Sequence, residues 1–266
     1  MELRIAKIEQ FLAKNKSVIL VSVKQVKGST PRDIDAKMLV SSSKSIGTIG
    51  GGKLEFSAIE KAQIMLKNKQ KEQELEISLG VKSQQCCGGF VVLKLELIDE
   101  NISQKLLQEA KEQEETLPCI YLFGAGHVGI ALANLLAHMP YRTTLIDSRQ
   151  NLAPNNIANI ELIISPLPEA IVREAKPNSA FVIFTHDHEL DFLILSEVLK
   201  IENAKYVGMI GSNTKRKKFE SWFIKNAGTN QQLEKLICPI GGDEVGDKRP
   251  NIIAALTLSE IIGKLY

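Results

Sequence analysis

The stretch CIYLFGAGHVGIALANLLAHMPYRTTLIDSR, at residues 119–149, is the most informative part of this chain about its fold. It contains an apolar run, a glycine-rich turn with the spacing G-x-G-x-x-G, a helix-like segment and a second apolar run. Gly124 allows a tight turn, Gly126 lets the backbone approach a diphosphate, and Gly129 lets the helix pack on the strand. Unpaired N–H groups at the start of the helix favour an anion at the same place. The stretch therefore predicts a nucleotide-binding βαβ unit.

Two charged residues, Asp147 and Arg149, stand at the end of the second apolar run. Asp147 has the spacing from the glycine turn at which an acidic side chain can hydrogen-bond the hydroxyl groups of a ribose. A glycine pattern alone is a weak signal, but its position between two strand-like runs, with an acid following, is more specific. We therefore expect a nucleotide in the crevice at this turn.

The composition indicates a soluble globular protein with room for two domains of ordinary size. Of the 266 residues, 44% are apolar and 24% are charged. The formal net charge of +2 is too small to argue for binding to nucleic acid or to an acidic membrane surface. The segment 1–17 lacks the apolar core of a signal peptide, and no apolar run approaches the length of a membrane span.

Four cysteines are present, and two of them, Cys86 and Cys87, are adjacent. Adjacent cysteines are a poor disulfide framework and no C-x-x-C pair suggests a zinc site, so we expect a cytoplasmic protein. The pair lies between two predicted strands in a glycine-flanked loop, where thiols are expected to be accessible. An accessible thiolate can bind a soft metal or attack an electrophile. The alternative is a pair of small buried hydrophobic residues.

A highly charged stretch at 99–116 separates two halves with different patterns. We place a smaller N-terminal α+β domain at 1–115 and a second domain at 116–266. In the second half, apolar runs typical of buried strands alternate with helical segments, which predicts a Rossmann-like, doubly wound parallel sheet. The fold class is therefore α/β, with ligands expected at the carboxyl ends of the parallel strands.

One further candidate anion site lies in the first domain. Gly50, Gly51 and Gly52 precede a predicted helix. A glycine-rich entry to a helix can cradle an anion, and the alternative is a flexible hairpin followed by a helix cap.

Further candidate contacts follow two predicted strands of the second domain. His186 belongs to a Thr-His-Asp-His segment that can line a ligand crevice, with a metal site as the alternative. Ser212, Lys215 and Arg216 stand where a strand passes into a helix, so they can hold a phosphate. The segment 238–250 is expected to close on the same site as a loop.

Taken together, these motifs resemble the xanthine dehydrogenase accessory protein family, XdhC with its CoxI-like relatives. The doubled cysteine resembles the xanthine dehydrogenase branch, because CoxI-like relatives tend to have one cysteine before the paired glycines. The motifs occur in the family's order and span nearly the whole chain: GSTPRD at 28–33, GTIGGGKLE at 47–55, QCCGG at 85–89, FGAGHVG at 123–129, DSR at 147–149, THDHELD at 185–191, YVGMIGS at 206–212, CPIGG at 238–242 and GDKRP at 246–250.

The resemblance implies a protein that binds molybdenum cofactor (molybdopterin), supports its sulfuration and delivers it to xanthine dehydrogenase. A cysteine desulfurase is then the sulfur donor, and the chain is a non-catalytic maturation factor, expected as a homodimer. Cys87, with Cys86 before it, is carried over as the molybdenum ligand. The predicted cofactor-binding residues are Cys86, Cys87, Gly50, Gly51, Gly52, Gly124, Gly126, His127, Gly129, Asp147, Arg149, His186, Ser212, Lys215 and Arg216.

Two hypotheses from other classes remain open at this point. The glycine turn by itself would also serve a NAD(P)-dependent oxidoreductase, although no clear catalytic acid and substrate clamp accompany it. A metal-dependent hydrolase that uses His186, Asp187 and His188 is the third hypothesis.

Overall fold

The computed structural model describes residues 3–28, 32, 34–79, 89–150, 157–242 and 244–266. The chain forms two compact units, Met1–Thr116 and Leu117–Tyr266. Each unit is described by itself below.

The first unit contains an antiparallel sheet with the strand order β3-β2-β1-β5-β4. In the described residues its elements are α1 (Ile5–Lys14), β1 (Ile19–Lys27), β2 (Lys37–Val40), β3 (Ser45–Gly47), α2 (Gly52–Asn68), β4 (Glu72–Leu79), β5 (Gly89–Leu97) and α3 (Glu100–Thr116).

The central strand β1 buries both of its faces, because its first three residues, Ile19, Leu20 and Val21, are all apolar and buried. Ile19 and Val21 face a core that includes Leu54, Ala58, Ala62 and Met65 of α2. Leu20 points to the opposite face, where the core includes Ile8 and Phe11 of α1 and Leu106 and Ala110 of α3. The two-residue period of a strand produces this division into two helix-covered faces.

The second unit contains a parallel sheet of six strands in the order β11-β10-β9-β6-β7-β8. Its described elements are β6 (Cys119–Phe123), α4 (His127–Leu136), β7 (Arg142–Asp147), β8 (Ile160–Ile164), α5 (Pro168–Val172), β9 (Ala180–Ile183), α6 (His188–Leu199), β10 (Tyr206–Met209), α7 (Asn213–Lys225), α8 (Asn230–Leu233), β11 (Leu236–Ile237) and α9 (Pro250–Leu265).

The chain enters this sheet at β6, builds outward through β7 and β8, and then returns to the other side for β9, β10 and β11. This order is that of the doubly wound nucleotide-binding fold, with the change of direction between β6 and β9. The predicted fold class, an α/β chain with a Rossmann-like second domain and a smaller α+β domain before it, is confirmed.

Helices cover both faces of the parallel sheet. On one face, Ile120 and Leu122 of β6 pack in a core with residues of α4 and α9. On the other face, Phe123 belongs to a core with α6 and α7. Among the helices of the described residues, none has the length and apolar character needed to cross a membrane.

Candidate functional site

The glycine-rich turn between β6 and α4 gives each of its three glycines a different environment. At Gly124 φ is 122°, and an added Cβ would stand 2.5 Å from the carbonyl oxygen of Phe184. At Gly129 an added Cβ would stand 2.0 Å from the carbonyl oxygen of Gly124. At Gly126, in contrast, no described atom lies within 4 Å of an added Cβ. Gly124 therefore permits the turn, Gly129 permits the close packing of α4, and Gly126 leaves open space where a ligand can approach the backbone.

The first turn of α4 borders this open space. His127 is the first residue of the helix and is exposed, and Gly126 is the residue before it. The first N–H groups of an α-helix have no acceptor within the helix, and the helix dipole makes this end favourable for an anion. The geometry at Gly126 and His127 is therefore suited to a phosphate, and cofactor binding by these residues stays a prediction.

Asp147 is hydrogen-bonded to the glycine turn and is buried, with 3% of its surface exposed. One carboxylate oxygen accepts hydrogen bonds from the N–H of Ala125 (2.6 Å) and from Arg149 Nη2 (2.8 Å), and the other accepts from the N–H and Nε of Arg149 (both 2.9 Å). Burial alone would raise the pKa of Asp147, but the hydrogen bonds from Arg149 and Ala125 outweigh it and lower the pKa to about 2.

The carboxylate of Asp147 is thus ionised, and both of its oxygens already accept hydrogen bonds from Ala125 or Arg149. This bracing role is not visible in the sequence, because it depends on the position of Ala125 in the folded turn. The predicted ribose contact of Asp147 stays a prediction, and a ribose would have to share the carboxylate with Ala125 and Arg149.

The segment after β9 places its two histidines in solvent and Asp191 in the interior. His186 and His188 are exposed, while Asp187 caps α6 by accepting a hydrogen bond from the N–H of Glu189 (2.8 Å). Within the described ranges no group of three or more His, Cys, Asp or Glu side chains is arranged to hold a metal ion.

Asp191 is fully buried and joins the carboxyl ends of two strands. It accepts hydrogen bonds from the N–H (2.9 Å) and the hydroxyl group (2.7 Å) of Thr185, which follows β9. It also forms an ion pair with Lys215, whose ammonium group donates a second hydrogen bond to the carbonyl oxygen of Ile210 (3.0 Å) after β10. The Lys215 side chain is only 11% exposed. The predicted phosphate contact of Lys215 would therefore require this buried ion pair to open.

Ser212 and Arg216 stand one turn apart at the start of α7, but their side chains have different partners. Ser212 is exposed and caps α7 by accepting a hydrogen bond from the N–H of Lys215 (3.3 Å). Arg216 binds Glu220 (2.8 Å) and the carbonyl oxygen of Cys238 (3.3 Å), and it lines a different surface depression from the cavity that Ser212 lines. The phosphate contacts of both residues stay predictions.

In the first unit, a carboxylate of the chain itself occupies the predicted anion cradle at Gly50, Gly51 and Gly52. The side chain of Glu55 accepts hydrogen bonds from the N–H of Gly51 (2.8 Å), the N–H of Ile49 (3.0 Å) and the hydroxyl group of Thr48. Burial opposes the ionisation of Glu55, but these hydrogen bonds outweigh it and lower the pKa of Glu55. The glycine loop does attract an anion, and in this structure that anion is Glu55.

Comparison with known families decides the identity of the chain. Residues 120–261, which are more than half of the chain, match the family described as the XdhC Rossmann domain. Residues 11–77 match the family described as XdhC and CoxI. The chain belongs to the XdhC family. The predicted family resemblance is therefore confirmed.

Two curated relatives of this XdhC-family chain are considerably longer than it is. The first, from Bacillus subtilis (strain 168), is described as a probable xanthine dehydrogenase subunit. It is 27% identical over 151 residues, covering 56% of this chain and 43% of that protein. The second, the uncharacterized protein YqeB of Escherichia coli (strain K12), is 24% identical over 269 residues, covering 97% of this chain and 44% of that protein. The chain spans less than half the length of either relative.

A solved structure from Bacillus halodurans, described as a xanthine dehydrogenase, has the same fold. Its TM-score is 0.74 at 18% sequence identity, and the match covers 98% of this chain and 95% of that chain. At this identity the likeness concerns the fold alone.

The cysteines divide into two groups. Cys86 and Cys87, the predicted molybdenum ligands of this XdhC-family chain, lie outside the described residues. Cys119 and Cys238 are free and buried, and burial raises the pKa of the Cys238 thiol. The low thiolate content that follows makes Cys238 a poor nucleophile or metal ligand.

Residues 239–242 and 245–248 line a cavity of about 490 Å³ at the carboxyl ends of β10 and β11, and Ser212 lines the same cavity. One predicted site residue that this segment contacts directly is Arg216, whose guanidinium group donates a hydrogen bond to the carbonyl oxygen of Cys238 (3.3 Å). Closure of the segment on a ligand stays a prediction.

Proposed function

We propose that this chain is an accessory factor in the maturation of xanthine dehydrogenase and that it binds molybdenum cofactor for that purpose. Membership of the XdhC family supports the accessory role and supports xanthine dehydrogenase as the partner. The relative from Bacillus subtilis, whose description links it to xanthine dehydrogenase, supports the same association.

The open backbone at Gly126 carries the cofactor proposal. A Cβ at this position would meet no described atom within 4 Å, so a phosphate group can reach the first turn of α4. Asp147 and Arg149 keep the turn in this conformation, and His127, the first residue of α4, is exposed next to it. The residues at this turn thus fit the anionic end of the cofactor.

When bound, the molybdenum cofactor supplies a thiophilic metal held by a dithiolene. The side chains that we propose as soft ligands are those of Cys87 and, beside it, Cys86. Sulfuration with a cysteine desulfurase and transfer to xanthine dehydrogenase belong to the same proposal, as does assembly into a homodimer.

Retention of molybdenum tests the proposal. The protein is incubated anaerobically with molybdenum cofactor, desalted and analysed for bound molybdenum, and the wild type is expected to retain the metal. Gly126→Leu fills the open space and is expected to reduce the affinity at least about tenfold, the equivalent of one lost charge-assisted hydrogen bond. Gly263→Leu is the matched control, because Gly263 also has open space around an added Cβ but lies in α9.

Cysteine variants examine the metal end of the cofactor in the same assay. Cys87→Ala is expected to release molybdenum, and Cys86→Ala is expected to have a smaller effect. Equal retention by the wild type and by both the Gly126→Leu and Cys87→Ala variants would contradict the proposal.

The NAD(P)-dependent oxidoreductase is the second candidate, because the glycine turn and the doubly wound sheet suit a dinucleotide. The bonds of Asp147 to Ala125 and Arg149 weigh against it, since a ribose would have to share this carboxylate with them. Titration with NADH decides between the two candidates. Tight NADH binding with hydride transfer, and no molybdenum retention, would replace the accessory-factor proposal with the oxidoreductase.

A further inference from the structure

The carboxylate of Asp191 connects the ends of two strands on the ligand side of the parallel sheet. Its Oδ1 atom accepts hydrogen bonds from the N–H (2.9 Å) and the hydroxyl group (2.7 Å) of Thr185, which follows β9. Its Oδ2 atom pairs with the ammonium group of Lys215, in the first turn of α7. Asp191 is fully buried, and the Lys215 side chain is nearly so. A buried network whose charged members all have partners holds them in one arrangement.

Lys215 attaches this network to the end of β10. Its ammonium group also donates a hydrogen bond to the carbonyl oxygen of Ile210 (3.0 Å), and the N–H of Ile210 donates to the carbonyl oxygen of Ile183 in β9 (2.9 Å). The stem of the lysine lies against Gly211, where an added Cβ would stand 2.6 Å from the Cδ atom of Lys215. The absence of a side chain at Gly211 therefore gives Lys215 room to reach back from α7 to the sheet.

Thr185 extends the network toward β6. The N–H of the preceding residue, Phe184, donates to the carbonyl oxygen of Phe123 in β6 (2.9 Å), as in the ladder of the sheet. The next N–H, that of Thr185, has Asp191 as its acceptor instead of a strand. Asp191 therefore fixes the backbone one residue beyond this bond between the strands, where a buried N–H would otherwise need another acceptor.

Phe184 contacts the glycine turn before and after Gly126. An added Cβ at Gly124 would stand 2.5 Å from the carbonyl oxygen of Phe184, and an added Cβ at Gly129 would stand 2.6 Å from its ring. Phe184 is itself buried. The conformation of the turn on the side of β9 therefore depends on the position of this one residue.

A single peptide unit connects these contacts to the buried ion pair. The carbonyl group of Phe184 and the N–H of Thr185 belong to this unit. Its oxygen lies against Gly124, and its N–H donates to Asp191. A peptide unit is planar, so an acceptor that fixes its N–H also fixes the direction of its carbonyl group.

We propose that Asp191 and Lys215 are positioning residues for the ligand at the glycine turn. The pair fixes the peptide unit after Phe184, and this unit holds the turn in the conformation that leaves Gly126 open. Lys215 acts through Asp191 and does not itself bind the anion. The effect on ligand binding rests on the proposed function, whereas the effect on the turn does not.

A double substitution separates this role from a contribution to stability. Asp191→Leu/Lys215→Met removes both charges, and replacing a buried ion pair by apolar side chains of similar volume is often neutral for stability. The melting temperature is therefore expected to change little. Amide hydrogen exchange of the protected N–H groups of Gly124 and Ala125, measured by mass spectrometry on the full chain without ligand, is expected to be about fivefold faster, the equivalent of one lost hydrogen bond.

Glu197→Leu/Lys200→Met is the matched control. It removes an acid–lysine pair from the other end of α6, where the Lys200 side chain is exposed. Exchange at the glycine turn is expected to stay at the wild-type rate in this variant. Equal acceleration in the control and in the Asp191→Leu/Lys215→Met variant would show a general loosening of the unit and would overturn the inference.

Thr185 provides a second pair of variants that does not touch the buried charges. Thr185→Val keeps the shape of the side chain but loses the hydroxyl group that donates to Asp191, whereas Thr185→Ser keeps this group. Exchange at the glycine turn is expected to be faster in Thr185→Val and close to the wild-type rate in Thr185→Ser. These variants decide the question if the double variant does not fold, and equal exchange in both would then overturn the inference.

Molybdenum retention distinguishes positioning from direct contact. Asp191→Leu leaves the positive charge of Lys215 without its acidic partner. A lysine that binds the anion of the cofactor directly would then be released, and the affinity for the cofactor would rise. A positioning role predicts the opposite sign, a loss of about fivefold in affinity, with a similar loss in the double variant.

The two measurements can fail separately. Unchanged exchange at the glycine turn in the folded double variant would overturn the inference, whatever the turn binds. Affinity for the cofactor that is equal to or higher than the wild-type value in Asp191→Leu would also overturn it. If the wild type retains no molybdenum, the proposed function fails, and the exchange measurement alone decides whether Asp191 and Lys215 position the turn.

Discussion

Two Asp-x-Arg segments form the same local hydrogen-bond pattern in different surroundings. In each, the aspartate accepts hydrogen bonds from the N–H and the guanidinium group of the arginine two residues later. The Asp147 side chain is 2% exposed and also binds the N–H of Ala125, whereas the Asp247 side chain is 29% exposed. The motif is therefore a structural brace at Asp147 and a surface pair at Asp247.

This difference predicts a specific pH dependence for Asp147. Its pKa is lowered from 3.8 to about 2 in the folded protein, so the ionised carboxylate stabilises the fold above about pH 4. That contribution, about 2 kcal/mol, is lost as the pH falls from about 4 to about 2. Asp147→Asn is expected to lower the free energy of unfolding by about 2 kcal/mol at pH 7. Between about pH 4 and pH 2 the stability of this variant should fall less steeply than that of the wild type. Urea unfolding at several pH values measures both effects.

Asp247→Asn is the matched control for this experiment. The carboxylate of Asp247 lies at the surface, where an ion pair with arginine contributes little. Little change in the free energy of unfolding is therefore expected at any pH. If the two variants lost the same stability, the brace assigned to Asp147 would be wrong.

Two other charged residues at predicted ligand sites have partners inside the protein. Glu55 fills the glycine loop before α2, and Lys215 pairs with the buried Asp191. An acidic residue in the first turn of a helix is the signal that could have identified Glu55, because such a side chain reaches back to N–H groups at the helix start. No comparable signal exists for Asp191 and Lys215, which lie 24 residues apart.

Among the secondary-structure elements, the packing of α4 against the ends of β6 and β9 depends on the absence of one side chain. An added Cβ at Gly129 would stand 2.0 Å from the carbonyl oxygen of Gly124, in the turn after β6, and 2.6 Å from the ring of Phe184, which follows β9. The two backbones are therefore in direct contact at this point, and the helix start that faces the ligand is held in place by this contact.

Gly129→Ala is expected to destabilise the protein by about 1–3 kcal/mol, because helix and strand must move apart to admit the methyl group. Gly263→Ala is the matched control in α9, where the added Cβ meets open space. This control should be neutral or stabilising by up to about 1 kcal/mol, because alanine favours a helix more than glycine does. Thermal and urea unfolding of the two variants measure the difference, and equal stabilities would contradict the close contact at Gly129.

The caps define where two of the helices begin. Asp187 and Ser212 accept hydrogen bonds from N–H groups of α6 and α7, which begin at His188 and Asn213. The residues just after these caps are mostly polar, so the first apolar residues of each helix stand later than its start. A capping side chain is a better marker of a helix start than the first apolar residue.

Across the full chain, each unit has its own hydrophobic core. The clusters around the antiparallel sheet draw on residues of Met1–Thr116, and the clusters around the parallel sheet draw on residues of Leu117–Tyr266. Within the second unit, α9 packs against α4, with Ala254, Leu258 and Ile261 in the same cluster as Leu132 and Leu136.

We therefore expect residues 117–266 to fold on their own, with a cooperative thermal transition by circular dichroism, since a compact unit with its own core is an independent folding domain. Residues 117–249 are the control, because they lack α9 and expose the apolar face of α4. This shorter piece is expected to lose the cooperative transition. A non-cooperative transition for residues 117–266 would show that the second unit needs the first.

Those features of this protein that depend on residues close together in the chain could be predicted before the fold was known. The spacing of Gly124, Gly126 and Gly129 was sufficient for the turn, and the alternation of apolar runs with helical segments was sufficient for the class of the sheet. Spacing and periodicity reflect backbone geometry over a few residues, so they can be recognised without the fold.

The partner of each charged group was decided only by the tertiary structure. Ala125 reaches Asp147 across 22 residues, and Lys215 reaches Asp191 across 24. The cavity beside α7 likewise needs three separate segments to meet. A hydrogen bond or an ion pair depends on distances of about 3 Å between atoms, and only the packing of sheet and helices sets those distances for residues far apart in the chain.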